Sequence, residues 1–159
     1  VTLRYSGTLN DRSLLPRLRE DFQDIAATYG WPVDLLDAPA EERTGRGGRL
    51  EAPALVLEGL RVIVHPQTDP LWLTFDPDNL LTRLEPLPLA ARRGGLTRGL
   101  LHQNQASIQT SIGGAALHRT VVGLLDYLKR AYVSDLEVLD ESGYWNDRDE
   151  TALKRLMDR

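Results

Sequence analysis

The chain has 159 residues, 42% of them hydrophobic and 26% charged, with a formal net charge of -4 and no cysteine. Length and composition fit one globular domain over residues 1–159 that can build a core without staples, and they exclude a disordered chain. The missing cysteines rule out disulfides, thiolate metal sites and a cysteine nucleophile, and the acidic balance argues against nucleic acid or an anionic membrane as partner. No apolar run approaches the ~20 residues of a membrane-spanning helix, and no charged-then-apolar leader opens the sequence, so a cytoplasmic protein is expected.

Val1-Thr-Leu-Arg-Tyr-Ser alternates as a strand does, with Val1, Leu3 and Tyr5 on one face. Leu14, Leu15, Leu18, Phe22, Ile25, Ala26 and Tyr29 then fall on one helical stripe. Ser13, rather than Asp11, is the expected N-cap, because it leaves Pro16 in the first turn. Gly30 ends that helix, and Trp31 to Asp37 reads as a second strand. Residues 39–52 are polar and glycine-rich, which predicts an exposed loop.

A run of short strands follows, at Ala54–Leu57, Leu60–His65, Leu71–Phe75 and Leu80–Leu84, broken by Glu58-Gly59, Pro66 to Pro70 and Asp76 to Asn79. Leu71, Leu73 and Phe75 share a face, so the meander lays one side on the core. A second exposed connection is expected over about 85–103. Gln105–Ile112 alternates again, with Ala106, Ile108 and Thr110 on one side. After Gly113-Gly114, Leu117, Val121, Leu124, Leu125, Leu128 and Tyr132 form an amphipathic helix. Asp135–Leu139 is a strand, and a last helix starts near Arg148.

The fold class expected is therefore α+β: a mainly antiparallel sheet of roughly six to eight strands, with two long helices on one face and a short C-terminal helix. Strand–helix–strand occurs at both ends of the meander, and an offset of 103 residues aligns Tyr29 with Tyr132 and Asp37 with Asp140, which suggests a pseudo-repeat. The second face of such a sheet needs solvent, loops or a partner to cover it, and self-association through that face or a strand edge would supply the cover.

Two segments hold candidate chemistry. Asp140, Glu141, Asp147, Asp149 and Glu150 surround Gly143-Tyr-Trp145, and seven acids lie between Ser134 and Glu150 against the single Arg148. Carboxylates of this kind can hold a cation or move protons, and Tyr144 and Trp145 can stack on a sugar or base. The structural alternative is that Asp147 and Glu150 form a capping box for the last helix and the aromatics pack it down. The second segment is Thr110-Ser-Ile-Gly-Gly114, whose backbone N–H groups at a helix start can bind an anion. His118 would serve there as acid or base and Arg119 as a clamp. The alternative is a tight turn with His118 and Arg119 on a solvated flank.

Read along the helix, the two segments sit at opposite ends, roughly 25–30 Å apart, and are not expected to share a site. The catalytic candidates are Asp140, Glu141, Tyr144 and His118. The ligand-binding candidates are Tyr144, Trp145, Arg119, Gly113 and Gly114. The histidines His65, His102 and His118 lack metal-ligand spacing, no Gly-x-Ser-x-Gly element is present, and neither metal nor cofactor is implied. Arg46-Gly-Gly-Arg49 and Arg92-Arg-Gly-Gly95 are too short, and lack the interleaved aromatics, for a nucleic-acid segment.

The stretch from Leu125 to Glu150, with its core Tyr132-x-x-Asp135-Leu-Glu-Val-Leu-Asp140-Glu-Ser-Gly-Tyr-Trp145, resembles the C-terminal signature of a group of uncharacterised bacterial proteins. The opening helix ending Tyr29-Gly-Trp-Pro32 supports the likeness. The resemblance implies a bacterial cytoplasmic domain and carries no activity. The leading expectation is a non-catalytic binding or interaction domain with a protein partner, its own copy included. The alternative is a small enzyme, or ligand-binding protein, acting on a phosphorylated or carbohydrate-like compound at Asp140–Glu150.

Overall fold

The computed structural model describes residues 1–36, 57–86 and 100–158. The expected loop at 39–52, most of the strand at 54–57, most of the connection at 85–103 and both Arg-Gly segments lie outside the described residues. The described strands are β1 (Thr2–Ser6), β2 (Val33–Leu36), β3 (Glu58–Val62), β4 (Leu71–Phe75), β5 (Arg83–Pro86), β6 (Leu100–Gln103), β7 (Ala106–Gln109) and β8 (Glu137–Asp140). The helices are α1 (Leu15–Tyr29), α2 (Gly114–Ala131), α3 (Tyr144–Asp147) and α4 (Glu150–Met157).

The α+β class holds, but a single sheet of six to eight strands does not form. The strands divide into two antiparallel three-stranded sheets, β7-β1-β8 and β2-β3-β4, and a β5-β6 hairpin. The division has a local cause. Asp76 to Asn79 makes a tight turn with Asn79 at φ 67°, and the chain beyond it shares its hydrogen bonds between two neighbours. Leu81 N–H donates to Gly7 O and Leu9 N–H to Asn79 O, while Thr82 N–H donates to Thr74 O. Residues 79–82 thus bridge the end of β1 to β4, where a regular strand would have extended one sheet.

One side chain completes that junction. The Tyr5 hydroxyl, from the centre of the first sheet, donates to Trp72 O at 2.9 Å and accepts from Trp72 N–H at 2.8 Å on β4. A buried strand edge whose N–H and C=O lack partners is costly, and this one phenol satisfies both groups. Burial pushes the Tyr5 pKa far up, so the group stays a neutral donor.

The helices bury the faces their periodicity dictates. On α1, Leu15, Leu18, Phe22 and Ala26 are buried. Tyr29, expected on the same stripe, is instead 56% exposed and stacks on Trp31 with ring centroids 4.2 Å apart. The start of α1 also differs from expectation: a 3-10 turn at Arg12–Leu14 precedes it, capped by Asp11 rather than Ser13 through Ser13 N–H at 2.9 Å, and α1 itself begins after Leu14 with no side-chain cap. Pro16 sits in the first turn, where no backbone donor is wasted.

On α2, Val121, Leu124, Leu125 and Leu128 are buried as the spacing predicts. Asp21 on α1 ties the two helices together by accepting from the hydroxyls of Tyr127, at 2.6 Å, and Tyr132. Those two donors, Tyr127 first, hold the Asp21 carboxyl below its ordinary range against the opposing effect of burial.

The pseudo-repeat survives in element order only. In the second unit β7 and β8 lie in one sheet on either side of β1, whereas in the first unit β1 and β2 belong to different sheets. The outward face of the β7-β1-β8 sheet carries the exposed Arg4, Gln109, Glu137 and Leu139. Three of these four side chains are polar, so water can cover this face.

Candidate functional site

β1 runs antiparallel to both β7 and β8, so those two strands are parallel to each other and α2 is the crossover between them. In such a unit the C-terminal ends of both strands and the N-terminus of the helix meet at one end of the sheet. From His118 to Ala131 the helix climbs about 20 Å, and the nine residues 132–140 can return that distance at about 3.3 Å each. The expectation that His118 and Asp140 stand 25–30 Å apart is therefore wrong. It counted the length of the helix without the return of the strand along it.

The two residues are in contact. His118 Nε2 lies 3.0 Å from Asp140 Oδ2, and neither side chain is exposed at all. On the other side of the ring, Thr110 Oγ1 is 2.8 Å from Nδ1, and Thr110 is also fully buried. Asp140 accepts three further hydrogen bonds. Ser142 N–H and Ser142 Oγ donate to Oδ1 at 2.8 and 2.7 Å, and Trp145 N–H donates to Oδ2 at 2.9 Å. Tyr144 N–H donates in turn to Ser142 Oγ at 3.1 Å, and the Tyr144 ring meets His118 edge-on at 6.2 Å.

The electrostatics follow from these bonds. Burial pushes the Asp140 carboxyl up, but hydrogen bonds from His118 and Ser142 more than offset it and hold the group at about 2. An ionised carboxylate only accepts, so Nε2 carries a proton facing Asp140, while Nδ1 lies beside the Thr110 hydroxyl, which also donates to Val1 O at 3.3 Å.

The order Thr110–His118–Asp140 is hydroxyl, imidazole, carboxylate, the sequence of groups that activates a nucleophile in acyl transfer. It cannot act as one here, because a hydroxyl with no exposed surface admits no substrate. Ser142 fares no better. Its Oγ approaches His118 at 3.2 Å, but through Nε2, the nitrogen already protonated toward Asp140, and its own proton goes to Oδ1. The carboxylate that accepts this bond is held at about 2 and is therefore a weak base.

The other candidates are committed in the same way. Glu141 accepts from Thr2 N–H at 2.8 Å at the start of the central strand β1. Arg148 donates to both oxygens of Asp126, at 2.7 and 2.9 Å, and lies over the rings of Trp145 and Tyr144 at 5.0 and 5.8 Å. It thereby lies against one face of each ring. Arg119 reaches Glu150 through Nη1 at 3.0 Å.

At the Gly113–Gly114 turn an anion is indeed bound, but it belongs to the chain: Asp158 Oδ1 accepts from Ala115 N–H at 2.8 Å. Gly114, at φ 69°, leaves room for that carboxylate, since a Cβ there would stand 2.8 Å from Asp158 Oδ1. Among the described residues no group of three His, Asp or Glu side chains is placed to hold a metal ion. His65 accepts from Gln67 N–H in the turn after β3, and His102 is paired with Leu84 across the β5-β6 hairpin.

Comparison with protein-family models, with curated proteins and with solved structures finds no match. The bonding pattern therefore stands as the sole guide to this cluster.

The capping expectation also needs correction. The last helix is capped by Asp149, which accepts from Ala152 N–H at 3.0 Å, while Asp147 accepts only from Asp149 N–H at 2.8 Å. Asp149→Ala is expected to lower stability by about 0.5–2 kcal/mol and Asp147→Ala by less, as read from urea denaturation. The reverse order would restore Asp147 as the cap.

Sequence spacing gives Thr110 and Ser142 no role in a site, and its alternative to an anion site puts His118 on a solvated flank, where the structure buries it. A signal for His118 was present. Residues 118, 121, 125 and 128 share one helical stripe, so the spacing that buries Val121 and Leu125 buries the imidazole too.

Proposed function

We propose that this chain is a non-catalytic binding or interaction domain of a cytoplasmic bacterial protein, with another protein or its own copy as partner. One observation carries the reading: each polar side-chain atom of the Thr110–His118–Asp140–Ser142 cluster has a partner within the chain, and the imidazole and its carboxylate are sealed from solvent. Enzymes leave such groups facing a space where a reacting atom can sit. Here the acidic segment ties α2, β8 and α3 together, and Arg148 lies over its aromatic rings.

The likeness of Leu125–Glu150 to a signature of uncharacterised bacterial proteins fits a scaffold role, because its Asp140, Ser-Gly-Tyr-Trp and Arg148 residues all serve this junction. The net charge of -4 disfavours nucleic acid as the partner. No helix among the described residues is long and apolar enough to cross a membrane.

A fluorophosphonate reagent, which modifies activated serine and threonine hydroxyls, tests this reading. Intact-mass measurement of the folded protein is expected to show no adduct, and p-nitrophenyl phosphate is expected to survive incubation. A stoichiometric adduct on Thr110 or Ser142, or sustained phosphate release lost in His118→Gln, would overturn the proposal.

A further inference from the structure

The exposed stripe of α2 has a glycine at its middle with no task inside the chain. Gly123 is helical and exposed, and a Cβ placed on it meets nothing within 4 Å. Glycine in a helix interior costs about 0.5–1 kcal/mol relative to alanine, and no positive φ or close internal contact requires it here. It forms part of the floor of an open groove of about 480 Å³ between α1 and α2, beside Ile25, Tyr29, Thr120, Leu124 and Tyr127. Tyr29 adds a largely exposed ring to the rim.

The charges along the same stripe are self-complementary about Gly123. Arg119 lies four residues before it and Asp126 three residues after it, both on the helix face that carries Gly123. When two such helices cross antiparallel at their glycines, position 119 of one meets position 126 of the other, and a two-fold axis makes the pair twice. Both side chains have capacity to spare. Arg119 uses only Nη1, toward the exposed Glu150, and each Asp126 oxygen accepts one hydrogen bond from Arg148.

We propose that a second copy of this chain packs antiparallel across α2 at Gly123, with Arg119 of each copy against Asp126 of the other and the two glycines at the axis. The inference rests on the interaction-domain reading and names its partner. Gly123 lets the backbones approach closely, and Ile25 and Tyr29 bury their remaining apolar surface around the crossing.

Light scattering across a concentration series tests it, since the chain has no cysteine and single-cysteine reporters are unambiguous. Wild type is expected at twice the mass of one chain. Gly123→Leu is expected to raise the dissociation constant at least about tenfold while its melting temperature stays the same or rises, because the monomer has room for the side chain. Gly123→Cys is expected to form a disulfide-linked dimer under mild oxidation, and Glu137→Cys, on the outward face of the sheet, is not. A dimer that persists in Gly123→Leu would overturn this interface and leave the interaction reading standing. A monomer at every concentration would overturn self-association, while the absence of catalysis is decided separately by the fluorophosphonate experiment.

Discussion

Asp140→Ala is expected to lower the free energy of unfolding by about 3–5 kcal/mol, because it leaves several buried donors without their acceptor at a cost of about 1–3 kcal/mol each. The substitution strips His118 Nε2 of its acceptor in a place water does not reach, and it leaves the N–H groups of Ser142 and Trp145 without the carboxylate that joins them. Three elements then lose their common anchor: the end of β8, the turn before α3 and the early turns of α2. Urea denaturation gives the difference directly, and a loss below about 1 kcal/mol would mean that the cluster is peripheral to the fold.

The same carboxylate sets a pH dependence. Its folded pKa of about 2 lies below the ordinary 3.8, so the folded state favours the ionised form. The stability this supplies is fully present above about pH 4 and is lost as the pH falls from there through about 2. Asp140→Ala should remove that part of the acid dependence along with the stability itself.

Tyr5→Phe is expected to cost about 2–4 kcal/mol although it deletes a single oxygen. The phenol is the partner of both Trp72 N–H and Trp72 C=O at a buried strand edge, and phenylalanine leaves the two backbone groups orphaned. The ring itself still fills its place, so a cavity contributes almost nothing and the loss isolates the hydrogen bonds. A ΔΔG within about 0.5 kcal/mol would show that water or a shifted strand satisfies Trp72 instead. Because this contact joins the two sheets, hydrogen exchange at the Trp72 amide is expected to quicken in the variant.

The sequence carried the elements well wherever one physical rule governed them. The strand at Leu71–Phe75, though buried on both faces rather than the one its spacing predicts, the buried face of Ala106, Ile108 and Thr110, and the apolar stripe of α2 are all legible in the spacing. What spacing does not carry is which strand pairs with which. The bonds of residues 79–82, shared between β1 and β4, and the single phenol that seals a strand edge are tertiary events with no local signature.

The site shows the same limit. Its acids, aromatics, histidine and glycines were visible as residues, yet their roles depended on the parallel crossover that returns Asp140 to His118. Charge pattern also misleads when a chain supplies its own counter-groups. Asp158 fills the helix start that looked ready for an anion, and Arg148 stacks on the rings that looked ready for a ligand. Asp149 rather than Asp147 caps the last helix for a more modest reason, since a shift of two residues at a helix boundary is beyond what sequence spacing resolves.

The most direct test of a closed, structural cluster is long-range proton–nitrogen NMR of the His118 ring at neutral pH. The account predicts a proton on Nε2 that exchanges slowly with water, held toward Asp140, with its signal lost or shifted in Asp140→Ala. An Nε2 without a proton, or a ring proton exchanging as fast as in an exposed imidazole, would contradict it and reopen the cluster as a site for chemistry.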